Sequence, residues 1–321
     1  MTIPALFLMG PTASGKTSLA LALADAVARG GTPWSGVDLI SVDSAQIYRG
    51  MDIGTAKLPR EVLSTYPHGL IDILDPAQSY SAAQFRHDAL ALVATARAAH
   101  RLPILVGGTG LYFRALENGL SDLPVADAAL REQLGAQGAA LGWPAMHAEL
   151  ARIDATAANQ IKPNDPQRIL RALEIHTLTG RTRSEHWAAP KSDGLAGPIV
   201  KVGLLPPDRA ALHAAIAERF HAMMDAGFHD EVRALKARGD LHADLPSIRA
   251  VGYRQLWEHL SGACSLSVAI ERGIIATRQY AKRQITWLRS EPSLVLIDPR
   301  MANAVQDTLL KLHSSAGGVG T

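Results

Sequence analysis

Short, wholly apolar runs alternate with helical patterns through the first 110 residues. Ala5-Leu6-Phe7-Leu8-Met9 is the first run, and Ser18-Leu19-Ala20-Leu21-Ala22-Leu23-Ala24 opens the first helical stretch. After a loop over Gly30–Gly36, Val37 to Asp43 reads as a buried strand ending on a carboxylate. Gly69 to Leu74 predicts a third strand, stopped by Asp75-Pro76. Ser81 is expected to cap a helix running through His100, with Phe85, Leu90, Leu92 and Val93 as its apolar positions. Leu102 to Val106 is a fourth strand, leading into Gly107-Gly108-Thr109-Gly110. Strands alternating with helices predict a parallel sheet with right-handed crossovers. Ligands in such α/β folds sit beyond the carboxyl ends of the strands. Gly10, Asp43 and Thr109 all lie at such ends and should share one crevice.

From about Glu117 to Pro198 the strand signal fades into Ala-rich helical pattern, broken at Gly142-Trp143-Pro144 and at Lys162 to Pro166. A helix from Pro166 to Thr179 is expected, with Gly180 as its stop. Strand character returns at Ile199 to Leu205, and three helices are expected after it. The first spans Asp208 to Ala226 and the last about Ser267 to Arg289. Val295 to Asp298 reads as a short strand. The expected organisation is an α/β core of residues 1–116 and 199–312, a helical insertion domain over 117–198, and a disordered tail over 313–321.

A chain of 321 residues, 47% hydrophobic and 19% charged, can bury a large core in one or two domains. Its formal net charge of only +2 means that any nucleic-acid surface must be a local patch. One such patch lies on the predicted last helix. Arg278, Lys282, Arg283 and Arg289 occur there with no acidic residue between them, interleaved with Tyr280 and Trp287. A single cysteine, Cys264, excludes a disulfide framework and a CxxC zinc site. The twelve histidines show no metal-ligand spacing with it. No basic leader precedes the first apolar run, and no apolar stretch reaches the roughly 20 residues of a membrane span. A soluble, cytoplasmic protein without a membrane partner is expected. No dimerisation device is evident, so a monomer is expected too.

The first apolar run and the first helical pattern flank Gly10-Pro11-Thr12-Ala13-Ser14-Gly15-Lys16-Thr17. A strand, a Gly-rich turn and a helix in that order are the context of a phosphate-binding P-loop. Its glycines let successive N–H groups turn inward, and the following helix adds its positive end. Lys16 contributes a point charge, and the Thr17 hydroxyl can ligate a phosphate-bound Mg²⁺. The loop alone says only that a phosphate is held. Asp43, from position alone, suits either a general base or a metal-binding or structural aspartate.

The combined motifs carry a resemblance. Gly10 to Thr17, Asp43-Ser44-Ala45-Gln46-Ile47-Tyr48, Gly54-Thr55-Ala56-Lys57 and Gly107-Gly108-Thr109 resemble the tRNA dimethylallyltransferases, also called tRNA isopentenylpyrophosphate transferases. Asn164 to Arg168, Ser247-Ile248-Arg249, Gly252-Tyr253-Arg254 and Lys282 to Arg289 extend the match over nearly the whole chain. The lack of a C-terminal Cys/His zinc finger points to the bacterial type. The resemblance implies transfer of a dimethylallyl group from dimethylallyl pyrophosphate to N6 of adenosine 37. That base lies just 3′ of the anticodon in tRNAs reading codons that begin with U. It implies that the P-loop residues Gly10, Pro11, Thr12, Ala13, Ser14, Gly15, Lys16 and Thr17, with Arg219, hold a pyrophosphate where a kinase would hold ATP, and that Mg²⁺ assists. It makes Asp43 the base and brings Thr109 to the reacting region, where a helix N-cap is the other role for a Gly-Gly-Thr turn.

The resemblance further implies that Asp43, Ser44, Ala45, Gln46 and Thr109 meet the target base. The anticodon stem–loop would then be contacted by Arg131, by Gln167, Arg168, Ile169, Leu170 and Arg171, and by Arg249, Gly252, Tyr253 and Arg254. The run Lys282, Arg283, Gln284, Ile285, Thr286, Trp287, Leu288 and Arg289 completes that set. Other functions stay open on the residues alone. A P-loop small-molecule kinase explains residues 1–110 but leaves the basic helix without a purpose. An isopentenyltransferase acting on free adenine nucleotides would not need the RNA patches. A GTPase-like switch is disfavoured because no Asn-Lys-x-Asp motif is evident.

Overall fold

The computed structural model describes residues 2–189, 192–205, 208–298 and 300–316. The chain divides into two compact units, with breaks at Leu116/Glu117 and Leu195/Ala196. In chain order the elements begin with β1 (Ala5–Met9), α1 (Lys16–Ala28), β2 (Val37–Val42), α2 (Arg60–Thr65) and β3 (His68–Gly69). They continue with α3 (Ala82–Ala98), β4 (Leu102–Gly107) and α4 (Gly110–Asn118). Then come α5 (Ala128–Leu141), α6 (Trp143–Ile153), α7 (Ala155–Gln160), α8 (Pro166–Thr179) and α9 (Arg183–Ala188). The chain returns through β5 (Ile199–Leu204), α10 (Arg209–Asp225), α11 (Phe228–Ala237), α12 (Tyr253–Leu260), α13 (Leu266–Arg289), β6 (Val295–Ile297) and α14 (Ala304–Ala316).

The strands form one six-stranded sheet in the order β3-β2-β4-β1-β5-β6, parallel throughout. All residues of β1 and β4 are buried, as a parallel sheet covered on both faces requires. Alternate β1 side chains enter different cores. Leu6 and Leu8 join Leu19 and Leu23 of α1 and Leu309 and Leu312 of α14. The ring of Phe7 instead meets Phe113 of α4, with centroids 5.1 Å apart. A second core gathers Ile47, Tyr48 and Met51, just beyond β2, against Phe220, Phe228, Tyr253 and Ile274 from α10 to α13. It anchors the chain that follows Asp43. In the other unit, α5, α6 and α8 enclose Leu134, Met146, Leu150, Ile169 and Leu173.

Local signals set the helix ends. Ser81 and Gln84 form a reciprocal capping box at the start of α3. Asp165 caps α8 ahead of Pro166, and Gly180, at φ 67°, ends it. Three expectations are corrected. The third strand is only His68–Gly69, because Leu70 and Asp72 take left-handed backbone (φ 66° and 56°), leaving Tyr48 and Leu74 as an isolated bridge. Among the described residues four helices, not three, lie between β5 and β6, since α11 and α12 separate α10 from α13. Of the tail expected from residue 313, Ser314 to Ala316 continue α14, which Leu309 and Leu312 anchor in the core, and 317–321 lie outside the described residues.

One carboxylate shapes the loop between β2 and α2. Glu231 accepts hydrogen bonds from the backbone N–H groups of Asp52 (2.9 Å), Ile53 (2.7 Å) and Gly54 (3.1 Å), and from the Tyr253 hydroxyl. Three consecutive amides converging on one anion form a nest, here filled from within the chain. Glu231→Ala would leave these donors unpaired, and a loss of about 2–4 kcal/mol is expected in urea unfolding. A loss below about 0.5 kcal/mol would show that the loop holds itself.

Candidate active site

The turn joining β1 to α1 has the form of an anion cradle. Ala13 (φ 61°) and Gly15 (φ 83°) adopt left-handed backbone, which curls the loop so that its amides converge. The first turn of α1 follows at once, with its positive end at the same place. Ser14 is buried, and its hydroxyl has no hydrogen-bond partner. The Lys16 ammonium donates to the Pro11 carbonyl at 2.6 Å. Burial lowers the Lys16 pKa to about 8, Arg219 nearby pushes the same way, and Asp43 opposes them. Arg219, on α10, is also shifted down by burial and up by Asp43. Two cations thus stand beside one carboxylate in a poorly solvated place.

Asp43 is delivered by the end of β2. Its Oδ1 accepts from the amides of Ala45 (2.8 Å) and Gln46 (3.3 Å), which fixes the carboxylate and leaves Oδ2 to receive a proton. The adjacent end of β4 comes unusually close. A Cβ on Gly107 would lie 2.1 Å from the Val42 carbonyl oxygen, so only glycine permits the approach. The approach lets the Thr109 amide donate to Val42 and its hydroxyl accept from the Ser44 amide, both at 3.3 Å. The Gln46 side-chain amide is oriented by Ser41, which donates to its oxygen (3.2 Å), and by the Thr55 carbonyl, to which it donates (3.2 Å).

Helix α13 closes the crevice with Thr277, Tyr280 and Gln284, three residues spaced along one face. Burial, with Asp43 close by, pushes the Tyr280 pKa up to about 12, while the neighbouring Thr109 and Gln284 side chains act the other way. Tyr280 therefore stays protonated at neutral pH. The resulting cavity holds about 590 Å³ and is lined by Ser14, Lys16, Asp43, Gln46, Arg219 and Tyr280, among others. Among the described residues no three His, Cys, Asp or Glu side chains could hold a metal together. The oxygens present, Thr17 in the exposed first turn of α1 and Ser14, suit Mg²⁺, which retains water and substrate phosphate oxygens and needs few protein ligands.

The structure thus brings together Thr12 to Thr17, Asp43 to Gln46 and Arg219, with Thr109 just behind the cavity wall. Pro11 contributes its carbonyl to Lys16, and Gly10 packs so tightly that a Cβ would meet Ser14 Oγ at 2.6 Å. Sequence reasoning missed Tyr280, Thr277, Ser41 and Thr55 as site residues. The helical spacing of Thr277, Tyr280 and Gln284 was the one available signal for the first two.

The stretches read as RNA-facing split between faces, because neighbouring helical residues point in different directions. Arg249, Arg254, Lys282, Arg283, Thr286 and Arg289 are exposed, while Ile285 and Trp287 are half-buried. Tyr253, Gln284 and Leu288 are packed inside, and Gly252 is buried. In the other unit, Gln167 and Arg168 are exposed, Leu170 is half-buried and Ile169 is fully buried. There Arg131 and Arg171 both bind the buried carboxylate of Glu174, at 2.8 and 2.6 Å. Among the described residues no helix is long and apolar enough to cross a membrane.

A P-loop-type α/β core carrying a carboxylate beside a phosphate cradle defines a group-transfer enzyme. The IPP transferase family model matches residues 46–291. The tRNA dimethylallyltransferase of Bordetella petrii is 54% identical over 303 residues, covering 94% of each chain. That of Acidovorax ebreus is 57% identical over 293 residues, covering 90% of each. A crystal structure of the full-length tRNA isopentenylpyrophosphate transferase of Bacillus halodurans superposes with a TM-score of 0.68 at 36% identity, covering 98% of both chains. A eukaryotic dimethylallyltransferase, described as acting on tRNA, shares the fold with a TM-score of 0.78 at 23% identity, covering 96% of this chain and 78% of that one. The chain belongs to the tRNA dimethylallyltransferase family.

The Lys16 charge is present below about pH 8 and lost above it. In the protein without RNA, inorganic pyrophosphate should therefore bind more weakly as pH rises through that value. Lys16→Arg, permanently charged, should lose this break. Calorimetric titration of both proteins between about pH 7 and 9.5 checks it, since the ligand's own ionisation is common to the two. Parallel pH profiles would contradict the assignment.

Proposed function

We propose that the protein transfers the dimethylallyl group of dimethylallyl pyrophosphate to N6 of adenosine 37 in tRNAs reading codons that begin with U. The products are N6-isopentenyladenosine and pyrophosphate. The observation that carries this reading is the placement of the Asp43 carboxylate against two cations, Lys16 of the P-loop and Arg219 of α10, in one cavity.

The chemistry follows from that juxtaposition. The adenine amine is a weak nucleophile because its lone pair is conjugated with the ring. As N6 bonds to C1 of the allyl group, the bond from C1 to the pyrophosphate oxygen breaks and the N6 proton passes to Asp43 Oδ2. The P-loop amides, Lys16 and Arg219 stabilise the charge gathering on the leaving group, which is where preorganised dipoles and charges act most strongly. Mg²⁺, held by Thr17 and pyrophosphate oxygens, would neutralise part of the same charge. Thr109 holds the Asp43 side of the cavity by its hydrogen bonds to Val42 and Ser44, and Tyr280 walls it. Gln46, with its amide fixed by Ser41 and Thr55, keeps one N–H and one lone pair for the base edge, the pairing an adenine accepts. To reach them the base must leave the anticodon-loop stack. The exposed Arg249, Arg254, Lys282, Arg283 and Arg289 supply charge for the phosphates of that loop and planes for its splayed bases.

Asp43→Asn should lower single-turnover transfer about 10²–10⁴-fold with tRNA affinity nearly unchanged. Turnover close to normal would remove the base from the mechanism. Replacing Lys282, Arg283 and Arg289 together by Gln should weaken tRNA binding and reduce the slope of log affinity against log salt by about two to three. An unaltered slope would mean that this face of α13 does not meet RNA.

A further inference from the structure

Gln284 sits among the basic residues of α13, yet its side chain is directed away from them. Its oxygen accepts from the Thr12 amide of the P-loop at 3.0 Å, and its nitrogen donates to the Gly108 carbonyl at 3.0 Å. One buried amide therefore spans the loops that end β1 and β4, the two central strands at the crevice. The fit leaves no slack. A Cβ on Gly108 would lie 2.1 Å from Gln284 Nε2, and one on Gly110 would lie 2.4 Å from the Trp287 ring. Trp287 stacks on Phe113 of α4, at 5.9 Å between centroids and 13° between planes, so the same helix is fastened a turn further along. Hydrogen-bond lengths tolerate only a few tenths of an ångström. A shift or turn of α13 must then move Thr12 and Gly108 with it.

The opposite side of this turn carries Lys282, Thr286 and Arg289, all exposed, while the exposed Arg283 lies between that side and the cavity, which it also lines. Between Thr12 and the helix surface there is one side chain. We propose that Gln284 is a positioning residue that couples docking of the anticodon loop on α13 to the shape of the pyrophosphate loop. Each substrate then raises the affinity of the protein for the other. The proposal rests on the transferase reading above, which supplies the two ligands. It assigns Gln284 no contact with either of them. Coupling through a shared element is reciprocal, so it can be read from either side.

The test is a binding cycle. The affinity of a thio-linked, non-transferable analogue of dimethylallyl pyrophosphate is measured with and without saturating unmodified anticodon stem–loop RNA. Wild-type protein should bind the analogue about tenfold more tightly with the RNA present. In Gln284→Met, which keeps volume but lacks both hydrogen bonds, that ratio should fall to near one. A loss of general stability would lower both affinities without removing their ratio. Gly108→Ala pushes on the bridge from its other end and should also reduce the ratio, which covers the case in which the first variant does not fold. An undiminished ratio in the variants, or a wild-type ratio of one, would overturn the coupling while leaving the transferase reading intact. Failure of the wild-type protein to bind either ligand would overturn that reading and the coupling with it.

Discussion

Two half-buried, poorly solvated cations beside one carboxylate are the constraint on which the site depends. Lys16 and Arg219 are partly withdrawn from water and near each other, and Asp43 offsets only part of their charge. Burying like charges raises the free energy of the charged forms, which is why Lys16 holds its proton less firmly than an exposed lysine. An anion entering the cradle supplies the missing counter-charge. The protein thus carries an electrostatic deficit at the cradle, where the proposed mechanism gathers the charge of the leaving pyrophosphate, and the fold must hold it open. The all-parallel sheet does so by ending β1, β2 and β4 side by side. Gly107 allows the last two to approach to a distance at which no side chain fits.

The outer parts of the molecule serve that arrangement. The second core fastens the chain after Asp43 to α10, α11, α12 and α13, so the carboxylate, Arg219 and Tyr280 are fixed by one body of packing. Glu231 draws in the loop carrying Thr55, and Thr55 in turn orients Gln46. Helix α13 divides its surface among the core, the crevice and solvent. Its core side holds Ala281 and Leu288, its crevice side Thr277 and Tyr280 with Arg283 at the rim, and its exposed side Lys282, Thr286 and Arg289.

Much of this was legible in the sequence where local chemistry decides the outcome. Apolar runs gave β1, β2 and β4 nearly to the residue, because buried parallel strands admit little else. Ser81, Pro166 and Gly180 marked helix ends through hydrogen bonds and dihedral preferences that act over a few residues. The P-loop was legible for the same reason. Where distant packing decides, the reading failed. The apolar stretch after Gly69 looks like a strand, yet left-handed backbone at Leu70 and Asp72 ends it. No helix was expected after Asp298, and α14 is set by the packing of Leu309 and Leu312 in the core rather than by a local signal. Tyr280 and Gln284 sit in a basic stretch, and only the placement of α13 against two loops turns them inward.

The central claim is that one cavity brings an isoprenoid pyrophosphate and a tRNA adenine together. Incubating the protein with Mg²⁺, radiolabelled dimethylallyl pyrophosphate and either unmodified tRNA or AMP, then identifying the labelled nucleoside after digestion, tests it most directly. Label on adenosine 37 of the tRNA, with none on AMP, is the predicted result. Label confined to AMP, or on neither acceptor, would contradict the account.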